Sequence, residues 1–484
     1  MMATGLTEPP ASDHNAWRGG RRQTVGVVAV VVGIAVVVGL LPYPGGALAA
    51  AVLLVAATAA LYRPWLAYCV LLALLPLKLP ALWVPVPGIE FNLMPYQVVT
   101  VLVFAAMLIR APASWLRLLR TSSLTQPLLI FVGLALLSGI YAEDRRAWLH
   151  DALALCVSVG VYAVTRLLAQ TPDRFLATCK LVAKLLVFYA LWGLVDYGLF
   201  WLGLPSNTMG ARIGGVIDPP RARGSMSDPN DFMAWMTAML PMAVVWVASM
   251  SRQRWRLWML AVPFYLVLLI VSGSRGGMVA LAAVLLLGAV LSMGRHPYVR
   301  DHAFAATWRR LSVVTALWAL VAALVVVAFV PLAVLRVART FDESELEVGR
   351  LAIWKDTLEA LPGHPMGVGM GNRQVSQVFT LQRVAHNVFL QILGELGPLG
   401  LLAYIWVLVT TIQVWLRTRG DPRYGRWMTG LALGVAAFHL SGMFLSNVYQ
   451  EMPYLLWGLM MVGESLCSPP QMKKPEIDAR VARG

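Results

Sequence analysis

Long apolar runs alternate with short clusters of arginine along this chain, from Thr24 to Gly463. Each run is roughly 17–25 residues, the length a helix needs to cross about 30 Å of hydrocarbon. Runs such as Val25–Leu41 are continuous rather than alternating, which argues against a transmembrane barrel. The pattern predicts an all-α, polytopic helical membrane protein of about fourteen spans. They fall near 24–41, 46–62, 65–80, 94–109, 126–141, 148–168, 177–203, 231–250, 256–271, 277–293, 312–334, 388–416, 428–446 and 452–466.

Composition agrees, since 59% of the 484 residues are apolar and 13% are charged. The net charge of +15 is spread over loops between spans, with no basic domain, so it reads as topology and gives no reason to expect nucleic acid. Arg63, Arg110, Arg117, Arg120, Arg174, Lys180, Arg252, Arg254, Arg256, Arg295, Arg300, Arg309, Arg310, Arg417, Arg419, Arg423 and Arg426 mark one side as cytoplasmic, as do Lys473 and Lys474 in the tail. Both termini are then cytoplasmic. Arg18, Arg21 and Arg22 precede the first run and Ala47-Leu48-Ala49 resembles a cleavage site, but a second run follows at once, so a retained helix is expected. The four cysteines, Cys69, Cys156, Cys179 and Cys467, are far apart and suggest neither a disulfide framework nor a zinc site.

The parity leaves two long outer loops, 206–230 and 336–385. In the second, Leu351, Trp354, Leu358 and Leu361 recur at helical spacing and predict an amphipathic helix ended by Pro362-Gly363. Its six acidic and six basic residues balance, so it is not a polybasic tail.

A few polar residues break the pattern on the outer face, and these carry the expected chemistry. Arg275 lies in the tight turn Val271–Gly277, where a guanidinium at membrane depth needs a polar cavity or an anion. Arg221 and Arg223 sit on an outer loop against the positive-inside tendency, ahead of a helix that Asp228 or Asn230 would cap. Such a loop could deliver an arginine and a helix N-terminus to one phosphate. His386 falls where the second loop re-enters the membrane, beside Asn387, and imidazole suits proton abstraction near neutral pH. Glu395, further along that helix, is read as a brace, and His364 as part of a Gly-rich turn.

Arg221–Asn230, then Ser274-Arg275-Gly276-Gly277, then Gly363–Asn372 leading to His386-Asn387, together resemble the O-antigen ligase and polymerase superfamily across about residues 205–410. The resemblance implies a catalytic region at 205–410 that includes the outer loop 336–386, between N-terminal helices (24–204) and C-terminal helices (411–466), with cytoplasmic tails at 1–23 and 467–484. It implies a metal-independent glycosyltransferase, without cofactor, at the periplasmic face of a bacterial inner membrane. The donor would be a glycan on undecaprenyl diphosphate, and the acceptor a hydroxyl of the lipid A core, a protein or another glycan. Carried over, Arg275 and Arg223, with Arg221 in reserve, would hold the diphosphate, His386 would be the base, and Asn387 and Glu395 would support it. The expectation leans to a ligase over a polymerase. A transporter or flippase is the reading from a different class, and would call for internal repeats and mid-membrane polar groups.

Overall fold

The computed structural model describes residues 58–78, 84–86, 89–110, 122–210, 212–213, 216–217, 220–250, 261–293, 308–310, 312–313, 315–316 and 350–467. The span expected at 24–41 and most of those at 46–62 and 312–334 lie outside them. The chain divides into two compact units, residues 1–74 with 82–117, and residues 75–81 with 118–484.

In the first unit, α1 (Pro64–Leu74) packs on α2 (Pro95–Arg110), and β1 (Val84–Val86) pairs antiparallel with β2 (Ile89–Leu93). The expected span at 65–80 is therefore a shorter helix, which stops just before Pro76, a residue that cannot continue the hydrogen-bond ladder. Neither this hairpin nor the small one in the second unit, β3 (Arg212–Ile213) with β4 (Val216–Ile217), was expected from the hydropathy.

The second unit is a helical bundle: α3 (Thr125–Leu137, continued by a 3₁₀ turn Ser138–Ile140), α4 (Arg145–Leu168), α5 (Pro172–Trp201), α6 (Pro229–Ala248), α7 (Ala261–Ser272), α8 (Arg275–Met293), α9 (Arg350–Ala360), α10 (Val388–Thr418), α11 (Gly425–Gly442) and α12 (Glu451–Cys467). The helix starts follow from their caps. Asp144 accepts from the N–H groups of Arg146 and Ala147, Thr171 from Arg174, and Asp228 from Asn230 and Asp231, with Pro172 and Pro229 opening α5 and α6. Helices α4, α5, α6 and α10 are long and apolar enough to cross a membrane.

Helix α6 is the hub, packed against α5, α8 and α11, while α12 packs on α4 and α10 on α3. Its Phe232, Met233, Trp235, Met236 and Met242 are buried. Apolar side chains of α5 and α10 instead face outward, among them Phe188, Val195, Leu399, Leu402 and Ile412, as lipid contact requires.

Helix α10 is one element in hydropathy but breaks at Gly397, whose φ of 66° is left-handed, followed by Pro398. Pro398 has no N–H to give the Gly394 carbonyl. That carbonyl accepts from Val368 N–H at 3.0 Å, and the Glu395 carbonyl from Gly369 N–H at 2.8 Å. The Gly-rich segment 363–372 is thereby stitched onto the break. A Cβ at Gly397 would lie 2.1 Å from the Pro365 carbonyl oxygen, so the close approach requires glycine.

Helix α9 forms where the amphipathic pattern predicts it, and a 3₁₀ turn at Leu361–Gly363 ends it. The buried face is different, however. Ile353 and Thr357 are buried, while Leu351 and Leu358 are exposed. The reason is Arg373, fully buried against the inner face of α9. Its Nε and Nη2 donate to Thr357 Oγ1 at 3.0 and 2.8 Å, and Nη2 also reaches the Ile353 carbonyl and Asp356. Polar anchoring outweighs the apolar stripe in setting the helix rotation.

Candidate functional site

Chain direction brings the unusual polar residues to one end of the second unit. Gly273 turns the chain between α7 and α8 at φ 60°, and Ser274 Oγ accepts from Gly277 N–H at 3.2 Å, so that Arg275 is the first residue of α8. Its side chain is exposed. Gly276 permits close packing beside it, since a Cβ there would stand 3.2 Å from Phe444 Cβ.

The 221–223 loop lies on this same turn. Ala222 N–H donates to the Val271 carbonyl at 3.1 Å. Arg221 Nε donates to the Ser272 carbonyl at 2.7 Å, and its Nη2 to Asn230 Oδ1 at 3.0 Å and the Gly273 carbonyl at 3.4 Å. Arg223 Nε donates to the Asn207 carbonyl and Nη1 to the Ser227 carbonyl at 3.1 Å. Both arginines thus spend donors on loop oxygens, and Arg221 more completely.

His386 is the one non-glycine among the described residues with a left-handed backbone, at φ 49°. Such a conformation costs about 1–3 kcal/mol and persists where surroundings over-determine it. Two contacts do so: Ser446 Oγ accepts from His386 N–H at 2.9 Å, and Asn387 Oδ1 accepts from Phe389 and Leu390 N–H as the cap of α10. The half-buried imidazole is held below the ordinary histidine range by burial and then by the charge of Arg350, while Asp228 pulls it upward. A neutral ring near pH 7 is the form able to accept a proton.

Arg350, Phe444 and Ser446 were not singled out in the sequence. The Arg350 guanidinium lies 5.7 Å from the Phe444 ring centroid, and its proton affinity is lowered by burial and then by Arg275. The turn between α11 and α12 was hidden, because Phe444 and Leu445 extend the apolar run to 446 although α11 stops at Gly442.

Glu395 is buried on α10. Its carboxylate accepts from Tyr449 Oη at 2.6 Å and Gln391 Nε2 at 3.2 Å, and the backbone of Gly371 hydrogen-bonds it as well. It therefore ties the Gly-rich loop to the α11–α12 turn. Exposed His364 sits within that loop, where its carbonyl accepts from Gly367 N–H at 2.9 Å. At the opposite end of α10, Arg417 bridges Ser123 and Glu464.

Chemically, this end of the bundle offers four exposed or half-buried guanidinium groups, those of Arg221, Arg223, Arg275 and Arg350, and one imidazole for a proton. Among the described residues no three His, Cys, Asp or Glu side chains form a metal-binding group.

Residues 260–405 match the family model described as O-Antigen ligase, which supports the O-antigen ligase superfamily over that region. It spans α7, α8, α9, His386 and the first half of α10. No curated protein matches the chain. The family, with the apolar helices, supports a membrane-embedded glycosyltransferase of the ligase or polymerase type.

Proposed function

We propose that this O-antigen ligase superfamily protein transfers a glycan from undecaprenyl diphosphate to an acceptor hydroxyl at the periplasmic face of the inner membrane, with both termini cytoplasmic. The observation that carries the reading is that one turn reaches both segments, Ser446 accepting from the His386 N–H and Phe444 packing at Gly276, next to Arg275.

In this reaction the acceptor oxygen attacks the anomeric carbon of the donor sugar, and the bond from that carbon to the diphosphate oxygen breaks. His386 takes the hydroxyl proton, and undecaprenyl diphosphate leaves with the bonding electron pair. Charge grows on the departing diphosphate, where fixed guanidinium groups stabilise it most. Arg275 is the exposed donor on this side, with Arg223 on the loop that Ala222 joins to the same turn. Arg221 and Asn387 keep the turn and the base in position, and Glu395 braces the loop behind them. The catalytic region is 205–410, including the outer loop 336–386.

A ligase acceptor, the lipid A core or a protein, is the favoured form, and a second lipid-linked repeat would make the enzyme a polymerase. Full-length protein in proteoliposomes, given a defined undecaprenyl-diphosphate glycan and each acceptor in turn, tests the reading. Release of undecaprenyl diphosphate matched by capped acceptor is expected. Elongated lipid-linked glycan would make it a polymerase, and movement of intact donor without diphosphate release would make it a transporter.

A further inference from the structure

The site holds a cation that the reaction above does not use. Arg350 lies on α9, and it is half-buried rather than free in water. It rests over Phe444, the same side chain that packs on Gly276 beside Arg275. The ion pairs among the described residues are Lys78–Glu451, His150–Asp151, Lys355–Glu359, Arg373–Asp356 and Arg417–Glu464, so neither Arg350 nor Arg275 is neutralised by a carboxylate there. Among the described residues, Asp228 is the acidic group that acts on Arg350 and His386, and its Oδ1 is engaged in capping α6 through Asn230 and Asp231.

Two guanidinium groups set near each other repel unless an anion stands with them. Arg221 and Arg223 differ, because carbonyl oxygens of the 207, 227 and 272–273 segments already occupy much of their donor sets. Among the described residues no hydrogen bond or ion pair occupies Arg350 or Arg275, and planar guanidinium forks match phosphate oxygens bidentately.

We infer that Arg350 is a binding residue for the phosphate-bearing headgroup of the lipid donor, sharing that anion with Arg275. The inference rests on the donor being a lipid diphosphate, as proposed above. The guanidinium stands over the Phe444 ring, and the loop helix α9 becomes part of the donor site. When the diphosphate binds, it also removes the repulsion between the two arginines, and the negative charge offsets the effect of Arg350 on His386.

The test uses full-length protein in nanodiscs of phosphatidylcholine, with undecaprenyl diphosphate as one probe and phosphatidylglycerol as the other. Binding is measured for wild type, Arg350→Gln, Arg350→Lys, Arg275→Gln and the double variant, with thermal stability recorded without ligand. Arg350→Gln should weaken undecaprenyl diphosphate binding at least tenfold, Arg350→Lys less, and the two Gln losses should not multiply because one anion is shared. Ligand-free Arg350→Gln should be at least as stable as wild type, since it removes a repulsion. Unchanged affinity in Arg350→Gln, in a wild type that does release diphosphate during transfer, overturns this inference alone. Equal, Arg350-dependent binding of phosphatidylglycerol overturns it in favour of a bulk-lipid site. A wild type that neither binds undecaprenyl diphosphate nor turns over removes this inference and the transferase reading together.

Discussion

Ser446→Ala is the most revealing single change, because Ser446 touches no reacting atom and yet should control the base. Its Oγ accepts from the His386 N–H at 2.9 Å while His386 holds φ 49°. A backbone hydrogen bond of this kind contributes about 1 kcal/mol net. A left-handed histidine stores about 1 kcal/mol or more, which the chain recovers if it relaxes to negative φ. The two terms act in the same direction, so the productive imidazole position should lose about 1–2 kcal/mol. That corresponds to a roughly five- to thirtyfold fall in the transfer step. Single-turnover transfer in proteoliposomes reads the chemical step, and donor binding measured alongside should change little. Ser446→Thr keeps the oxygen and should restore most of the rate. A Ser446→Ala enzyme with wild-type single-turnover rate, properly inserted, would refute the idea that this contact aims His386.

Further outcomes follow from the same contacts. Because Arg350 helps keep the His386 pKa below its ordinary value, Arg350→Gln should raise it, moving the acidic limb of kcat/KM to higher pH, while Asp228→Asn should move it lower; pH–rate profiles of the two variants check the signs. Arg373→Met removes the buried guanidinium that joins Thr357, Ile353, Leu381, Arg383 and Asp356, leaving Asp356 without its ion partner. A loss of about 3 kcal/mol is expected, read as faster proteolysis within 350–385. Arg275→Lys retains charge but not the planar fork, and should lower transfer at least about tenfold with insertion intact. A cysteine at exposed Lys355 should react with an impermeant reagent in intact cells, whereas one at Ser376, which is buried, should react poorly from either side.

How far the sequence reveals this architecture depends on what each signal senses. Hydropathy finds the helices of the second unit because lipid contact and burial both favour apolar side chains, and caps such as Asp228-Pro229 and Asn387 mark starts because helix N–H groups need acceptors. It misses the break at Gly397-Pro398, since flanking residues stay apolar while the backbone turns to receive Val368 and Gly369. Arg275 stands out by being charged where charge is costly. Arg350 does not, because it lies in a loop of balanced charge and gains meaning through Phe444 and Arg275, 94 and 75 positions away in the chain. The difference between Arg221 and Arg350 is likewise tertiary, for only the folded chain shows which guanidinium its own carbonyls already occupy.

The central claim is that His386 removes the acceptor proton while a lipid diphosphate departs. It is tested most directly by following undecaprenyl diphosphate release and acceptor glycosylation together in reconstituted wild type and His386→Ala protein. Coupled, equal yields are expected in wild type, and in His386→Ala a donor that still binds but gives neither product. Transfer by His386→Ala at the wild-type rate across neutral pH would contradict it.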